Sequence, residues 1–329
     1  MSTGTPFAPG SLAGSISSVT AKALASGAML PIATGCEFIE DGGVRFLVRV
    51  LTNLQRKSAQ RAAEERSAAV GQPVNPFLPY EPALFVADVS DSHVAILNKF
   101  NVVDRHLLIV TREFEQQRAL LTLRDFEALW RCMSEYDSLG FYNGGPEAGA
   151  SQPHKHLQLV PLPLAPQGPQ VPIAPLLPAV PGVTGFGTIR GFDFVHSFAD
   201  LGAATSDRAA AREAYECYIS MLGQVGLRPP PGKGADLQGG PYNLIVTREW
   251  LLLVPRSREF FDSISINALG FAGALLVWNE EQLRALQAAG PLTALRETAL
   301  PLFKTRSRLK SRRRSPGNRD LAPESENDS

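Results

Sequence analysis

The sequence predicts an α+β protein made of two related halves. Short β-rich runs such as HVAILNKF and HLLIVTREF alternate with segments of helical period. The hexapeptide LIVTRE occurs at 108–113 and again at 244–249, each time in a strand-like context. This indicates an internal repeat, with a coincidence of strand-favouring residues as the alternative. Because only NVVDR separates the first two runs, as in a hairpin, we expect antiparallel sheets with packed helices.

The first half contains clear strand and helix signals. RFLVRVLTNL predicts a strand, and the polar stretch after it, QRKSAQRAAEERSAAVGQPVNP, is typical of a mobile loop or an exposed helix. In TLRDFEALWRCMSEYDSLG the apolar residues from Phe126 to Met133 recur at intervals of three and four, which predicts an amphipathic helix. Thr122 is the expected N-cap of this helix, and Gly140 is its expected end.

The second half follows a proline-rich connector, PLPLAPQGPQVPIAPLLPAVPGV. SDRAAAREAYECYISMLGQVG and EEQLRALQAAG predict helices, and YNLIVTREWLLLVPR between them predicts strands. We therefore divide the chain into a first half at 1–170, a second half at 171–303 and a tail at 304–329.

The composition is that of an ordinary globular protein. Hydrophobic residues make up 44% of the 329 residues and charged residues 19%, and no apolar run approaches the length of a membrane span. The N-terminal segment lacks the basic and apolar regions of a secretory signal. The three cysteines, Cys36, Cys132 and Cys217, are scattered. We therefore expect a cytoplasmic protein without a disulfide framework or a cysteine zinc site.

The tail has an unusual charge distribution. Residues 304–319 carry eight basic and no acidic side chains, and the last ten residues carry four acidic ones. The segment is polar and lacks apolar periodicity, so we expect a disordered, solvated appendage. A loose contact with nucleic acid or another acidic partner is the less favoured interpretation.

The stretch GGPEAGASQPHKHLQLVPLP contains two of the five histidines of the chain. If HKHLQLV is a strand, then His154, His156 and Gln158 project from one face, about 7 Å apart from one to the next. Lys155 and the leucines at 157 and 159 then point to the opposite face. Because two imidazoles and an amide are costly to bury without partners, the first face is expected to meet a polar ligand.

Three interpretations of the histidine pair are possible from the residues alone. The histidines could belong to a structural polar network, or they could be two ligands of a metal ion that takes its third ligand elsewhere. In the third interpretation a neutral imidazole, with an ordinary pKa near 6.5, attacks phosphorus as a nucleophile.

The glycine-rich segment NGGPEAGASQ favours the nucleophile. Its glycines let backbone N–H groups approach an anion, and Asn143, Ser151 and Gln152 add side-chain donors. Earlier basic residues that could neutralise a polyphosphate are Arg49, Lys57 and Lys99. A glycine-rich loop joined to an HxHxQ motif therefore predicts a phosphoryl or nucleotidyl transfer site.

GASQPHKHLQ resembles the active-site motif of the ATP adenylyltransferases, also called diadenosine tetraphosphate phosphorylases. These enzymes belong to the histidine triad superfamily, in the branch that includes the hexose-1-phosphate uridylyltransferases. The resemblance extends to NPFLPYEPALFVADVSDSHVAILNKFNVVDRHLLIVTREFEQQ, YNLIVTREWLLLVPRSRE and SINALGFAGALLV, and covers roughly residues 40 to 300. Lys155 stands where the uridylyltransferases typically have proline, which favours the adenylyl branch.

The resemblance implies a histidine-triad-like fold in both halves and a reaction through an adenylyl-histidine. His156 would be the nucleophile, His154 would orient the site, and Gln158 would hydrogen-bond the transferred phosphate. The substrate would be a dinucleoside polyphosphate that reacts with phosphate to give ATP and ADP. No protein-bound metal is expected, although Mg²⁺ could accompany the nucleotide. The expected substrate-binding residues are Lys57, Asn98, Lys99, Asn143, Gly149, Ala150, Ser151 and Gln152.

Two alternatives remain open at the level of the sequence. The same HxHxQ motif would serve the phosphorolysis of adenylyl sulfate, because the adenylyl intermediate would be the same. A metal-dependent enzyme that uses the HxH pair is the alternative from a different class.

Overall fold

The computed structural model describes residues 5–51, 75–178, 185–202, 206–229, 232 and 236–302. Lys57, most of the polar stretch after the first predicted strand, and the charged tail at 304–329 lie outside these residues. Within the described part the protein is a mixed α+β fold, as predicted from the sequence. None of the described helices is long and apolar enough to cross a membrane.

Helices and strands are numbered in chain order. The helices are α1 (Leu12–Ser26), α2 (Leu123–Met133), α3 (Asp207–Gln224), α4 (Ala268–Phe271), α5 (Glu280–Ala289) and α6 (Pro291–Thr298). The strands are β1 (Thr34–Asp41), β2 (Val44–Leu51), β3 (Phe85–Asp88), β4 (His93–Leu97), β5 (Leu107–Thr111), β6 (Ser138–Gly144), β7 (His156–Pro161), β8 (Gly185–Gly187), β9 (Ser197–Asp200), β10 (Tyr242–Val246), β11 (Trp250–Pro255), β12 (Phe260–Phe261), β13 (Ile264–Ser265) and β14 (Ala274–Val277).

A nine-stranded sheet connects the two halves of the chain. Its order is β3-β4-β5-β7-β6-β10-β11-β9-β8, and its pairings are antiparallel. The halves meet where β6 pairs with β10, and Asn143 lies directly opposite Asn243 at this junction. The two LIVTRE copies begin on β5 and β10, so both have the predicted strand context, and the strands end at Thr111 and Val246 within the copies. The sheet therefore places side chains from both halves beside one another.

The two faces of this sheet are covered differently. Leu157 and Leu159 belong to the core that includes α1, α2 and α3. On the other face, Phe141 packs in a second core with β2, β14 and the helices from α4 to α6. A third, smaller apolar cluster, which includes Phe77 and Val110, lies on the β4–β5 side. Gln158 lies between the second and third clusters, because it pairs with Phe141 on one side and with Leu108 on the other, and His156 pairs with Val110 of the third cluster.

Helix α2 confirms one predicted boundary and corrects the other. Thr122 is the N-cap, and it forms a capping box with Asp125 as the third residue of the helix. The helix ends at Met133, and Gly140 lies inside β6. A Cβ atom on Gly140 would lie 3.1 Å from Cδ1 of Leu129. Gly140 is therefore explained by the close packing of α2 on β6 and not by a helix end.

Candidate active site

His156 begins strand β7 and is held by its backbone and its ring. Its N–H donates to Oε1 of Gln117 at 2.9 Å, and its Nδ1 lies 2.8 Å from the carbonyl oxygen of His154. A carbonyl oxygen can only accept, so Nδ1 carries the proton of the neutral ring and Nε2 carries the lone pair. Burial lowers the pKa of His156 to about 4. The ring is thus neutral at pH 7, with one nitrogen available as a nucleophile.

His154 occupies a different environment from His156, although both were predicted on one strand. The strand begins only at His156, and His154 forms an isolated bridge with Gln116. Nε2 of His154 donates to the carbonyl of Glu113, and Nδ1 accepts from the amide of Asn75 at 2.9 Å. Both ring nitrogens of His154 have partners and the side chain is fully buried, so His154 contacts the ring of His156 through its backbone carbonyl.

The ring of Phe77 links the two histidines. Its centroid lies 5.7 Å from that of His154 and 5.2 Å from that of His156. The two imidazoles therefore share a neighbour on one side of the sheet, as the alternation predicted, even though only one of them lies on a regular strand.

Gln158 lies two residues after His156 and is on the same face of β7. Its Oε1 is 3.0 Å from Nε2 of His106, and Nδ1 of His106 lies 3.2 Å from Nδ2 of Asn98. Burial lowers the pKa of His106 to about 4. A neutral histidine therefore lies behind the amide that was predicted to contact the transferred phosphate.

The glycine-rich segment forms a tight turn after β6. A short 3₁₀ helix at Pro146–Ala148 ends at Gly149, whose φ is +84°. A Cβ atom on Gly149 would lie 3.0 Å from Cβ of Asn267, so both the backbone and the space require glycine. Ala150 and Gln152 are half-buried and Ser151 is exposed. The turn therefore leaves its last residues accessible just before the histidines.

Asn143 is held by residues of the second half. Its Oδ1 accepts from Nδ2 of Asn243 at 2.8 Å and from the N–H of Ala268 at 3.0 Å. Asn243 in turn accepts from the guanidinium of Arg256 and donates to the carbonyl of Ala148. Since Oδ1 of Asn143 has two donors, its NH₂ group is the part that remains to donate to a ligand.

Arg256 is a buried cation whose hydrogen bonds go to neutral oxygens. Its guanidinium donates to Asn243 and to carbonyls of residues at 258, 259, 266 and 298. Burial lowers its pKa to about 9, so it stays protonated at pH 7. The group therefore adds positive potential behind the glycine-rich turn.

Lys155 lies on the opposite face from His156, as predicted, and is fully buried. Its Nζ contacts carboxylate oxygens of Asp125 at 2.8 Å and Glu115 at 2.9 Å, and it donates to the carbonyl of Leu120. Asp125 also accepts from Nε2 of His93. Although burial alone would raise the pKa of Asp125, the hydrogen bond from His93 and the charge of Lys155 hold it well below its usual range.

The remaining predicted contact residues have other protein partners or lie outside the described residues. Lys99 is half-buried and pairs with Glu81 at 3.1 Å. Asn98, next to it, points its amide at His106. Lys57 belongs to the segment 52–74, which the structure does not describe.

Several site residues were not singled out from the sequence. Gln117 accepts from the N–H of His156 and donates to the backbone of Asn143, Asn75 supports His154, and Asn243 and Arg256 lie about 100 residues further along the chain. The one available signal was a charged residue, Arg256, directly after the apolar run LLLVP. The sheet register that brings these residues together could not be read from local pattern.

No group of three or more His, Cys, Asp or Glu side chains in the described part of the chain is arranged to hold a metal ion. The HxH pair would have to give up an existing contact to bind one, because both ring nitrogens of His154 already have protein partners.

Comparison with known families assigns the chain to a class and then to a family. Residues 2–179 match the model of the Ap4A phosphorylase N-terminal domain, and residues 190–301 match that of the ATP adenylyltransferase C-terminal domain. Ap4A is diadenosine tetraphosphate. The fold and the site are therefore those of a nucleotidyltransferase. More narrowly, the chain belongs to the Ap4A phosphorylase family.

Individual relatives agree with this assignment. The protein is 28% identical over 250 residues to protein APA1 of Saccharomyces cerevisiae, covering 72% of this chain and 76% of that protein. It is 30% identical over 210 residues to diadenosine 5',5'''-P1,P4-tetraphosphate phosphorylase 2 of the same yeast, covering 58% of this chain and 64% of the relative. The crystal structure of yeast Ap4A phosphorylase Apa2 has the same fold, with a TM-score of 0.72 at 23% identity over 90% of this chain and 99% of that one.

Proposed function

We propose that this protein catalyses the reversible phosphorolysis of diadenosine tetraphosphate, in which phosphate and the dinucleotide give ATP and ADP. The observation that carries the proposal is the ring of His156, whose Nδ1–H is fixed on the carbonyl of His154 so that Nε2 keeps its lone pair. The named yeast phosphorylase supports the choice of substrate.

In the first step Nε2 of His156 attacks the α-phosphorus of one adenylyl group. An N–P bond forms, the P–O bond to the remaining triphosphate breaks, and ATP leaves. Because Nδ1 keeps its proton, the adenylylated ring carries a positive charge. The carbonyl oxygen of His154, 2.8 Å from Nδ1, stabilises that charge through a hydrogen bond that is already in place.

In the second step an oxygen of inorganic phosphate attacks the same phosphorus. The N–P bond breaks, its electron pair returns to Nε2, and ADP leaves. An amide at position 158 suits this chemistry, because it can donate a hydrogen bond to the phosphate but cannot act as a general acid. Polyphosphate and imidazolium leave without needing a proton from the protein.

Magnesium is proposed as a companion of the polyphosphate and not as a resident of the protein. The interior of the site offers amides, imidazoles and backbone groups, whereas Mg²⁺ prefers carboxylate and phosphate oxygens. We also propose that the enzyme works in the cytoplasm, since its three cysteines are unpaired.

Intact-mass measurement tests the proposal. Mixing the full-length protein with diadenosine tetraphosphate in the absence of phosphate is expected to add the mass of one adenylyl group and to release one ATP. Adding phosphate is expected to discharge the adduct as ADP. If turnover proceeds but no adduct forms, even on a rapid-quench time scale, the covalent route is wrong.

A further inference from the structure

A line of polar side chains runs from the residue after β4 and the residue before β5 to Gln158 on β7. Asn98 lies opposite His106 across the β4–β5 hairpin, where the N–H of Asn98 donates to the carbonyl of His106 at 2.9 Å. His106 is diagonal to Gln158, which pairs with Leu108 across β5 and β7. The three side chains therefore lie on one face of the sheet, and each touches the next.

The hydrogen bond that Asn98 accepts from the backbone determines which group donates and which accepts in each later bond of this line. The backbone N–H of Phe100 donates to Oδ1 of Asn98 at 3.2 Å, so the NH₂ group of Asn98 must face His106. Nδ1 of His106 then accepts, and in the neutral ring the proton lies on Nε2. Nε2–H donates to Oε1 of Gln158 at 3.0 Å, and the NH₂ group of Gln158 is left to donate elsewhere.

We propose that His106 is a positioning residue that sets the orientation of the Gln158 amide, so that NH₂ and not the carbonyl oxygen faces the transferred phosphate. The inference rests on the function proposed above. The histidine acts through Gln158 and touches neither substrate nor the reacting atoms.

The orientation matters because the two ends of an amide have opposite effects on a phosphate. An NH₂ group stabilises the oxygens of the transferring group, and a carbonyl oxygen in the same place repels them. The amide can rotate by half a turn at small cost when nothing holds its oxygen. Half-buried Gln158 is held at its oxygen by His106, which directly precedes the neighbouring strand β5.

The test uses two substitutions at position 106. His106→Phe removes the donor but keeps a ring against Phe141, whose centroid lies 5.9 Å from that of His106. His106→Gln keeps an NH₂ group near the position of Nε2. Each is made alone and together with Gln158→Ala, and the rate of adenylyl adduct formation is measured by intact mass at saturating and at low diadenosine tetraphosphate.

The expected result is a rate with His106→Phe about 10- to 100-fold below that of the unmodified protein, with the Michaelis constant little changed. His106→Gln should restore most of this rate. In the Gln158→Ala background, His106→Phe should have almost no further effect, because the residue it positions is gone.

Two results would overturn the inference. One is a double variant whose rate falls by the product of the two single-variant factors, those of His106→Phe and Gln158→Ala, which would mean that His106 acts independently of Gln158. The other is a His106→Gln protein as slow as His106→Phe despite an unchanged melting temperature. His106→Leu replaces His106→Phe in the same cycle if the latter does not fold. If the unmodified protein forms no adduct at all, the covalent function on which this role rests fails first, an outcome distinct from the two results above.

Discussion

At the scale of single residues, we propose separate roles for the two histidines of the motif. His156→Ala should abolish the adenylyl adduct and lower turnover by about 10⁴-fold or more, because it removes the attacking atom. His154→Ala should retain part of the adduct, since the carbonyl that holds His156 belongs to the backbone and survives the substitution. Protein mass after mixing with diadenosine tetraphosphate distinguishes them. An adduct that survives only in His156→Ala would reverse the two assignments.

The pKa of His156 gives a second prediction at this scale. Burial lowers it to about 4, and below that pH Nε2 gains a proton and loses its lone pair. The rate of adduct formation should therefore stay level from neutral pH down to about pH 5 and fall only as the pH approaches 4. Rapid-quench mass measurements across this range, with circular dichroism to verify the fold, test it. A fall centred near the ordinary pKa of histidine would show that the ring is more hydrated than the structure indicates.

At the scale of elements, Lys155, directly before β7, joins this strand to Asp125 of helix α2. Lys155→Met would leave Asp125, whose side chain is 1% exposed, without its cation, and should lower the free energy of unfolding by about 3 kcal/mol or more. Glu115→Gln is the matched control, because it removes the other carboxylate of the same lysine. Glu115 is 46% exposed, so its removal should cost less than about 1 kcal/mol.

Urea unfolding of the two variants measures the difference. Equal losses would mean that the buried contact to Asp125 adds nothing beyond the exposed one.

The elements also show what could be predicted from the sequence. The hairpin of β4 and β5, helix α3 and the strands β10 and β11 were predicted because their signals are local. Helix α1 was missed. Only Leu12, Ile16 and Ala23 are buried along it, and its first turn is held by the distant carboxylate of Glu135. Neither its core face nor its cap is visible in the local pattern.

The contrast between local signals and distant contacts applies to the site as well. The HxHxQ motif and the glycine-rich turn are contiguous in sequence, and both could be singled out there. The supports of the motif come from elsewhere, as with His106 behind Gln158 and Asn243 behind Asn143. Their pairing depends on the register of neighbouring strands, which follows from the complete sheet and not from any one segment.

At the scale of the whole molecule, the second half is expected to take part in catalysis at a site carried by the first. Asn243 on β10 holds Oδ1 of Asn143 on β6, and Arg256 fixes the direction of that bond. Asn243→Ala should leave Oδ1 of Asn143 with the N–H of Ala268 as its remaining donor. This weaker hold on the amide should lower turnover by about 10-fold, together with a loss of about 1–3 kcal/mol in the free energy of unfolding.

The control for Asn243→Ala is Gln282→Ala on α5. Gln282 is also a buried amide of the second half, and it hydrogen-bonds Ser263 and the N–H of Trp278, away from the site. The Gln282→Ala protein should lose a comparable free energy of unfolding and keep full turnover, because no site residue that the structure describes is hydrogen-bonded to Gln282. Steady-state phosphorolysis and thermal unfolding of the two variants separate stability from positioning. If Asn243→Ala is as active as Gln282→Ala, the β6–β10 junction is only structural, and the orientation of Asn143 must come from Ala268 alone.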